Sequence, residues 1–224
     1  MDRNAYRHCV RGSVFYPVSE TFIMINAALP YSLIFFAYLL GSIPFGVLIA
    51  KAKGVNLQNA GSKNIGATNV LRTVSKGAAL LTLAGDLLKG AAAVILITLV
   101  IKGELWKSII GITVVLGHMY PVFLSFKGGK GVATGFGVLA VYSPLSALIM
   151  FVIWILIAFY TKYSSLAAIT AFISLPLIFA FLEPSGVKIS FALILAVLII
   201  LRHKTNIKRL IEGTETKIGD KTKF

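Results

Sequence analysis

Cysteine is nearly absent: Cys9 stands alone in 224 residues, so no intrachain disulfide and no thiolate metal site can form. Histidine is scarce, and His8, His118 and His203 lie too far apart along the chain to make a metal signature. Acidic residues number 8 against 22 lysines and arginines, and charged residues of both signs reach only 13%. A soluble domain carries about 25% charge, and half of that does not cover a surface facing water. Soluble enzymes and disulfide scaffolds are therefore excluded. What fills the gap is apolar: 57% of residues are hydrophobic and the mean hydropathy is +0.87. The solvent for such a chain is lipid, and its length suits one domain. A net charge of +14 would suggest nucleic acid in a soluble protein. Here the cations lie between apolar stretches, where they read as topology signals and anion sites. A nucleic-acid partner is excluded with the soluble classes.

Apolar segments near 28–50, 78–101, 108–125, 132–143, 144–160, 164–182 and 187–201 predict an all-α integral membrane protein of about seven transmembrane helices. The fourth is too short to cross a hydrocarbon core of about 30 Å at about 1.5 Å per residue. It follows a glycine cluster and stops at Pro144, which predicts a short or re-entrant helix. Reading 132–160 as one tilted helix would give six spans. Charge bias favours seven, with the N-terminus outside and the C-terminus cytoplasmic. That arrangement puts most cations inside, from Lys51 and Lys53 through Lys127 and Lys130 to Arg202, Lys204, Lys208 and Arg209. Residues 1–27 form an N-terminal extension, expected to be flexible or to come from an upstream start. It lacks the apolar core of a signal peptide, and Met24 stands just before the first span. Residues 28–201 then make the transmembrane domain, and 202–224 a basic cytoplasmic segment that contributes to the site.

The loops at 102–107 and 183–188 are short and plain, whereas 59–72, 126–131 and 202–219 are polar, glycine-rich or basic. All three of the latter fall on the predicted inner face, so a one-sided site is expected. In the first, Gly61 and Gly66 allow close backbone approach, and Ser62, Asn64, Thr68 and Asn69 supply polar groups. Arg72 adds a planar fork suited to phosphate. A tight turn with helix-capping residues competes with this anion-binding reading. In the second, Gly128, Gly129, Lys130 and Gly131 open a helical segment, whose N-terminus favours an anion. It is not a Walker A loop, and an interfacial Lys/Gly turn is the plain alternative. Asp86 and Lys89 lie three apart within the second span. They read either as a pair facing a cavity or as a self-neutralising structural pair. His203 and Asn206 are one turn apart, beside Arg202 and Lys204; such a histidine accepts a proton near neutral pH. His118 reads as a packed helix-end histidine, and Glu215 as a partner of surrounding surface cations.

GSIPFG at 41–46, GSKNIGATNVLR at 61–72, GDLLKG at 85–90, GHMYPVFLSFKGGKGVAT at 117–134 and RHKTNIKRLIEGTETKIG at 202–219 occur in order. Together these blocks resemble the bacterial acyl-phosphate:glycerol-3-phosphate acyltransferase family (PlsY), over roughly residues 28–219. Two departures are the N-terminal extension and Lys63, where the family typically has glycine. The resemblance implies a multi-pass enzyme of the bacterial inner membrane with its active site facing the cytoplasm. The implied reaction moves a fatty acyl group from acyl phosphate to the 1-hydroxyl of glycerol-3-phosphate, giving lysophosphatidic acid and phosphate. It implies no cofactor and no metal, and a functional link to the enzyme that supplies acyl phosphate. The bilayer is the remaining partner.

Carried onto this chain, the resemblance gives Ser62, Thr68, Asn69 and Arg72 to one phosphate. Gly128, Gly129, Lys130 and Gly131, with His203 and Asn206, go to glycerol-3-phosphate, and Lys89 serves either. Ser62, Arg72, Lys130, His203 and Asn206 are the expected catalytic residues, with Asp86 and Glu215 as structural support. The base is either His203 or a substrate phosphate, and Ser62 as an acyl-enzyme nucleophile ranks third. The H-x-x-x-x-D motif of acyl-CoA-dependent enzymes is absent, since Ser13, Phe123 and Lys208 stand five beyond the histidines. A transporter or exchanger of organic phosphates is the alternative from another class, suggested by short, glycine- and proline-interrupted helices.

Overall fold

Lipid offers no partner for a free backbone N–H or C=O, so each apolar stretch must satisfy its backbone internally as helix. The computed structural model describes residues 18–220, with side chains from Leu29 onward, and every described element is helical. In chain order they are α1 (Val18–Ser42), α2 (Phe45–Ala52), α3 (Ala67–Thr73), α4 (Lys76–Val100) and α5 (Glu104–Met119). After a 3-10 turn at Val122–Leu124 come α6 (Val132–Tyr142), α7 (Pro144–Thr161), α8 (Ser164–Leu182), α9 (Gly186–Arg202) and α10 (Lys204–Ile211).

All seven predicted apolar segments are helices. Among the described residues, five stretches are long and apolar enough to cross a membrane: Leu29–Ala52, Lys76–Val100, Glu104–Leu124, Pro144–Thr161 and Ser164–Leu182. The pair α9 and α10, bent by 61°, makes a sixth if taken as one span. At 11 residues, α6 is short as expected. Two boundaries differ from the sequence reading. Helix α1 already begins at Val18, so part of the predicted 1–27 extension is helical, although the candidate span begins at Leu29; residues 1–17 lie outside the described residues. The predicted 28–50 segment is also split, because Pro44 lacks an N–H and disfavours helix at Ile43.

Glycine sets the helix spacing. A Cβ on Gly90 would strike the Thr134 carbonyl and one on Gly137 the Leu87 carbonyl, so α4 and α6 pack backbone to backbone. Gly41 and Gly117 do the same for α1 and α5. The core around them is Val114, Val138, Leu139, Phe172, Leu175, Phe179 and Leu195, all fully buried. Large apolar side chains such as Phe35, Leu99, Tyr160 and Phe181 point outward, as a lipid-facing surface requires. A smaller cluster of Ala50, Leu57, Ile65, Val70 and Ala78 seats the 53–75 connection against α2 and the start of α4. That second core holds the first polar loop beside the bundle.

Candidate active site

A cavity of about 590 Å³ is lined from α3 to α8 and α10, the segments that precede α3, α6 and α10, and the segment that follows α10. Ser62, Asn64, Thr68, Arg72, Lys130, His203 and Arg209 make one part of its wall polar. Leu83, Leu87, Phe136, Ala140, Leu148, Phe151 and Trp154 make the remainder apolar. Each of the three polar sequence segments therefore contributes to a single enclosure.

In the first loop Gly61 and Lys63 both take the left-handed conformation, at φ 57° and 58°. That region costs a non-glycine residue about 1–2 kcal/mol, which explains why glycine suits position 63 and shows that lysine accommodates the turn. Asn69 closes the loop from inside. Its Oδ1 accepts from the Ser62 N–H (2.9 Å), and its Nδ2 donates to the carbonyls of Ala60 (3.0 Å) and Asn64 (2.8 Å). With its amide committed and only 1% of it exposed, Asn69 shapes the loop and has little left for a ligand, contrary to its expected binding role. Ser62 is exposed at the rim, and the Thr68 hydroxyl lies 3.4 Å from that of Ser164. Arg72 uses one end of its guanidinium on the carbonyls of Thr216 (2.9 Å) and Lys217 (3.3 Å). Its Nε is buried without a partner. A buried, unmatched donor on a cation is a standing demand for an acceptor.

The second loop differs from its expected role as a backbone anion cradle. The N–H groups of Gly128 and Gly129 donate to Met119 O (3.2 Å) and His118 O (3.1 Å), and neither glycine lines the cavity. Their lack of side chains serves packing, since a Cβ on either would collide with His118. Gly131 does line the cavity and turns into α6 at φ 82°. Lys130 is the loop's functional contribution, with Nζ donating to Asn206 Oδ1 at 2.6 Å. Asn206 in turn donates to Glu215 Oε1 (2.6 Å), as does Ser165 (2.7 Å), while Arg209 Nε donates to Glu215 Oε2 (2.7 Å). Glu215 is thus a buried hub and not the surface partner its position suggested. Burial opposes its charge, but the donors Arg209, Ser165 and Asn206 hold its carboxyl below the usual range. Burial and the neighbouring arginines Arg209, Arg72 and Arg202 push Lys130 down to about 8, against the pull of Glu215.

His203 sits at the bend between α9 and α10 and is 2% exposed. Burial first, then the Lys130 cation, pushes it down to about 4, so the near-neutral titration expected from sequence is lost. Its Nδ1 lies 2.8 Å from the Ile199 carbonyl, which only accepts. The proton therefore sits on Nδ1, and Nε2 carries a lone pair.

Lys89 does not reach the cavity. Its Nζ pairs with Asp86 Oδ1 (2.8 Å) and donates to the Ile43 carbonyl (2.9 Å), tying the α1–α2 break to α4. This is the structural alternative and not the ligand role expected from the resemblance. His118 packs at the end of α5 with Nδ1 3.4 Å from Asp86 Oδ1, and both side chains also touch the cavity wall. Arg209 escaped the sequence reading, although its spacing of three beyond Asn206 puts it on the same face of α10. Ser164, Ser165 and Thr216 were missed as well, and nothing local in sequence marks them.

One cavity thus joins a cationic wall to an apolar wall, the pairing that an amphiphilic anion would need. A family model described as glycerol-3-phosphate acyltransferase matches residues 31–213. The glycerol-3-phosphate acyltransferase of Geotalea daltonii is 47% identical over 183 residues, covering 82% of this chain and 94% of that protein. That of Neisseria meningitidis serogroup A is 48% identical over 191 residues, covering 83% and 95%. Among solved structures, PlsY (YgiH), an integral membrane glycerol 3-phosphate acyltransferase, matches in its glycerol 3-phosphate form with a TM-score of 0.80. The identity there is 45%, covering 85% of this chain and 96% of that one. Its lysophosphatidic acid form matches with a TM-score of 0.78 at 44% identity. The chain belongs to the glycerol-3-phosphate acyltransferase family. It is an integral membrane acyltransferase, and these matches give the transporter alternative no support.

Proposed function

We propose that this enzyme transfers a fatty acyl group from acyl phosphate to the 1-hydroxyl of glycerol-3-phosphate, releasing lysophosphatidic acid and phosphate. The observation that carries the reading is the single cavity with a cationic wall beside an apolar one. The phosphates belong against Arg72 and Lys130, and the acyl chain against Phe136, Leu148, Phe151 and Trp154. Ser62, Asn64 and Thr68 join Arg72 on the acyl-phosphate side, while Lys130 and His203 hold glycerol-3-phosphate.

An acyl phosphate is an activated anhydride, so the protein needs little covalent chemistry of its own. It brings two anions together against their repulsion and sets the hydroxyl about 3–3.5 Å from the carbonyl carbon. The hydroxyl oxygen bonds to that carbon, the bond from carbon to the phosphate oxygen breaks, and the cations stabilise the charge that develops. A histidine held near 4 is a poorer base than a phosphate, whose second pKa is about 6. The proton accordingly passes to the departing phosphate, and His203 Nε2 orients the hydroxyl by accepting its hydrogen bond.

The polar segments face the cytoplasm of a bacterial cell, with the N-terminus outside and the C-terminus inside. Exposed Lys63, Lys76, Lys127, Lys204 and Lys208 in these segments support that placement through the positive-inside bias. The glycerol-3-phosphate acceptor is water-soluble and arrives from that side. The donor is supplied by a separate enzyme that makes acyl phosphate.

A donor panel tests the reading. Purified protein in detergent is given palmitoyl phosphate, palmitoyl-CoA or palmitoyl-acyl carrier protein with glycerol-3-phosphate, and product is followed by mass spectrometry. Lysophosphatidic acid from palmitoyl phosphate alone is expected. Product from palmitoyl-CoA at an equal rate, or from no donor, would contradict it.

A further inference from the structure

The Gly128–Gly129 turn is held along both edges. On one edge its two N–H groups donate to the carbonyls of Met119 and His118. On the other, Arg202 Nη2 donates to the Gly128 carbonyl (2.9 Å) and Arg202 Nε to the Gly129 carbonyl (3.1 Å). The Arg202 guanidinium also lies over the Tyr120 ring, 5.0 Å from its centroid, which fixes the plane of the fork. Arg202 itself does not line the cavity. It closes α9, and the bend at His203 begins α10, whose Asn206 receives the Lys130 ammonium. One bend thus grips the turn at Gly128 and Gly129 and also meets the lysine that follows them.

We propose that Arg202 is a positioning residue for acyl transfer: its fork on the Gly128 and Gly129 carbonyls aims Lys130 into the cavity. This rests on the reading of Lys130 as a ligand of glycerol-3-phosphate. A topology signal needs only a positive charge at this point, and lysine would serve it equally. Aiming the turn needs two donors locked in one plane, which arginine has and a single ammonium on a flexible stem lacks. Arg202→Lys separates the two roles while conserving charge.

The test is steady-state kinetics on the full chain in detergent for Arg202→Lys, Lys130→Ala and the double variant, with thermal melting as a check on folding. Arg202→Lys is expected to raise KM for glycerol-3-phosphate about tenfold and to change kcat less than about threefold. With Lys130 already replaced by alanine, adding Arg202→Lys is expected to change KM less than about twofold, because nothing remains to be aimed. A wild-type KM in Arg202→Lys, or effects that multiply in the double variant, would overturn the proposal. A wild-type KM in Lys130→Ala alone would instead overturn the ligand reading beneath it, and this proposal with it. If Arg202→Lys fails to fold, Tyr120→Leu keeps every hydrogen bond of the fork and removes only the ring beneath it. A rise of about threefold in the same KM is then expected, and an unchanged KM would overturn the proposal.

Discussion

Two polar clusters sit at opposite ends of this bundle, and only one of them has anything left to give. Away from the cavity, Lys188 pairs with both Glu183 and Glu104, the Glu104 contact being 3.3 Å. Ser143, Ser146 and Ser185 donate to the same two carboxylates. There the carboxylates outnumber the lysine, and the donors among these residues are matched. At the cavity the balance is reversed. Arg72, Lys130 and Arg209 gather around Glu215, which only Arg209 among them contacts directly, and Arg72 keeps a buried Nε without a partner. A saturated cluster fastens helices; a cluster with spare cations and an enclosed volume awaits an anion. Residue type alone does not distinguish the two, whereas the count of unmatched donors does.

The contrast can be broken by mutation. Arg72→Ala removes the fixed charge and the unmatched donor together, so activity is expected to fall at least about 100-fold with melting behaviour retained. Wild-type turnover would remove Arg72 from the site. Lys130→Ala is expected to raise KM for glycerol-3-phosphate about 10- to 100-fold with a smaller change in kcat. The same lysine predicts a pH effect. Burial holds it near 8, so it is charged below that value and loses its proton as pH rises through it. Glycerol-3-phosphate binding to wild type should weaken between pH 7 and 9, and a flat profile would show that Lys130 carries no binding charge. His203→Ala should keep measurable kcat at saturating substrate, because the proton leaves with phosphate; complete loss at every concentration would make His203 the essential base. At the saturated end, Lys188→Ala should cost about 1–2 kcal/mol of stability by freeing two carboxylates of their counter-ion. Its kcat/KM should stay within about twofold of wild type, and a large loss of activity there would dissolve the distinction between the clusters.

Much of this was legible from the chain. Apolar runs against charged punctuation marked α1 and α4 to α9, including the short α6 before Pro144, but not α3, α10 or the separate α2. The convergence of 59–72, 126–131 and 202–219 on one site was legible as well, from the blandness of the other loops. What sequence could not supply was the assignment of hydrogen bonds. Asn69 looks like a ligand until its amide is found committed to its own loop. Gly128 and Gly129 look like a cradle until their N–H groups are traced to α5. The saturated cluster was read as plain because Glu104, Glu183 and Lys188 meet only through folding.

The claim underlying all of this is that one cavity holds two anions at once. Equilibrium binding of labelled glycerol-3-phosphate to wild-type protein saturated with a stable acyl phosphonate, a non-transferring analogue of the donor, tests it directly. Simultaneous binding is expected, with the glycerol-3-phosphate Kd changed by less than about tenfold. Complete displacement of one ligand by the other would contradict it and point to a single anion site visited in turn.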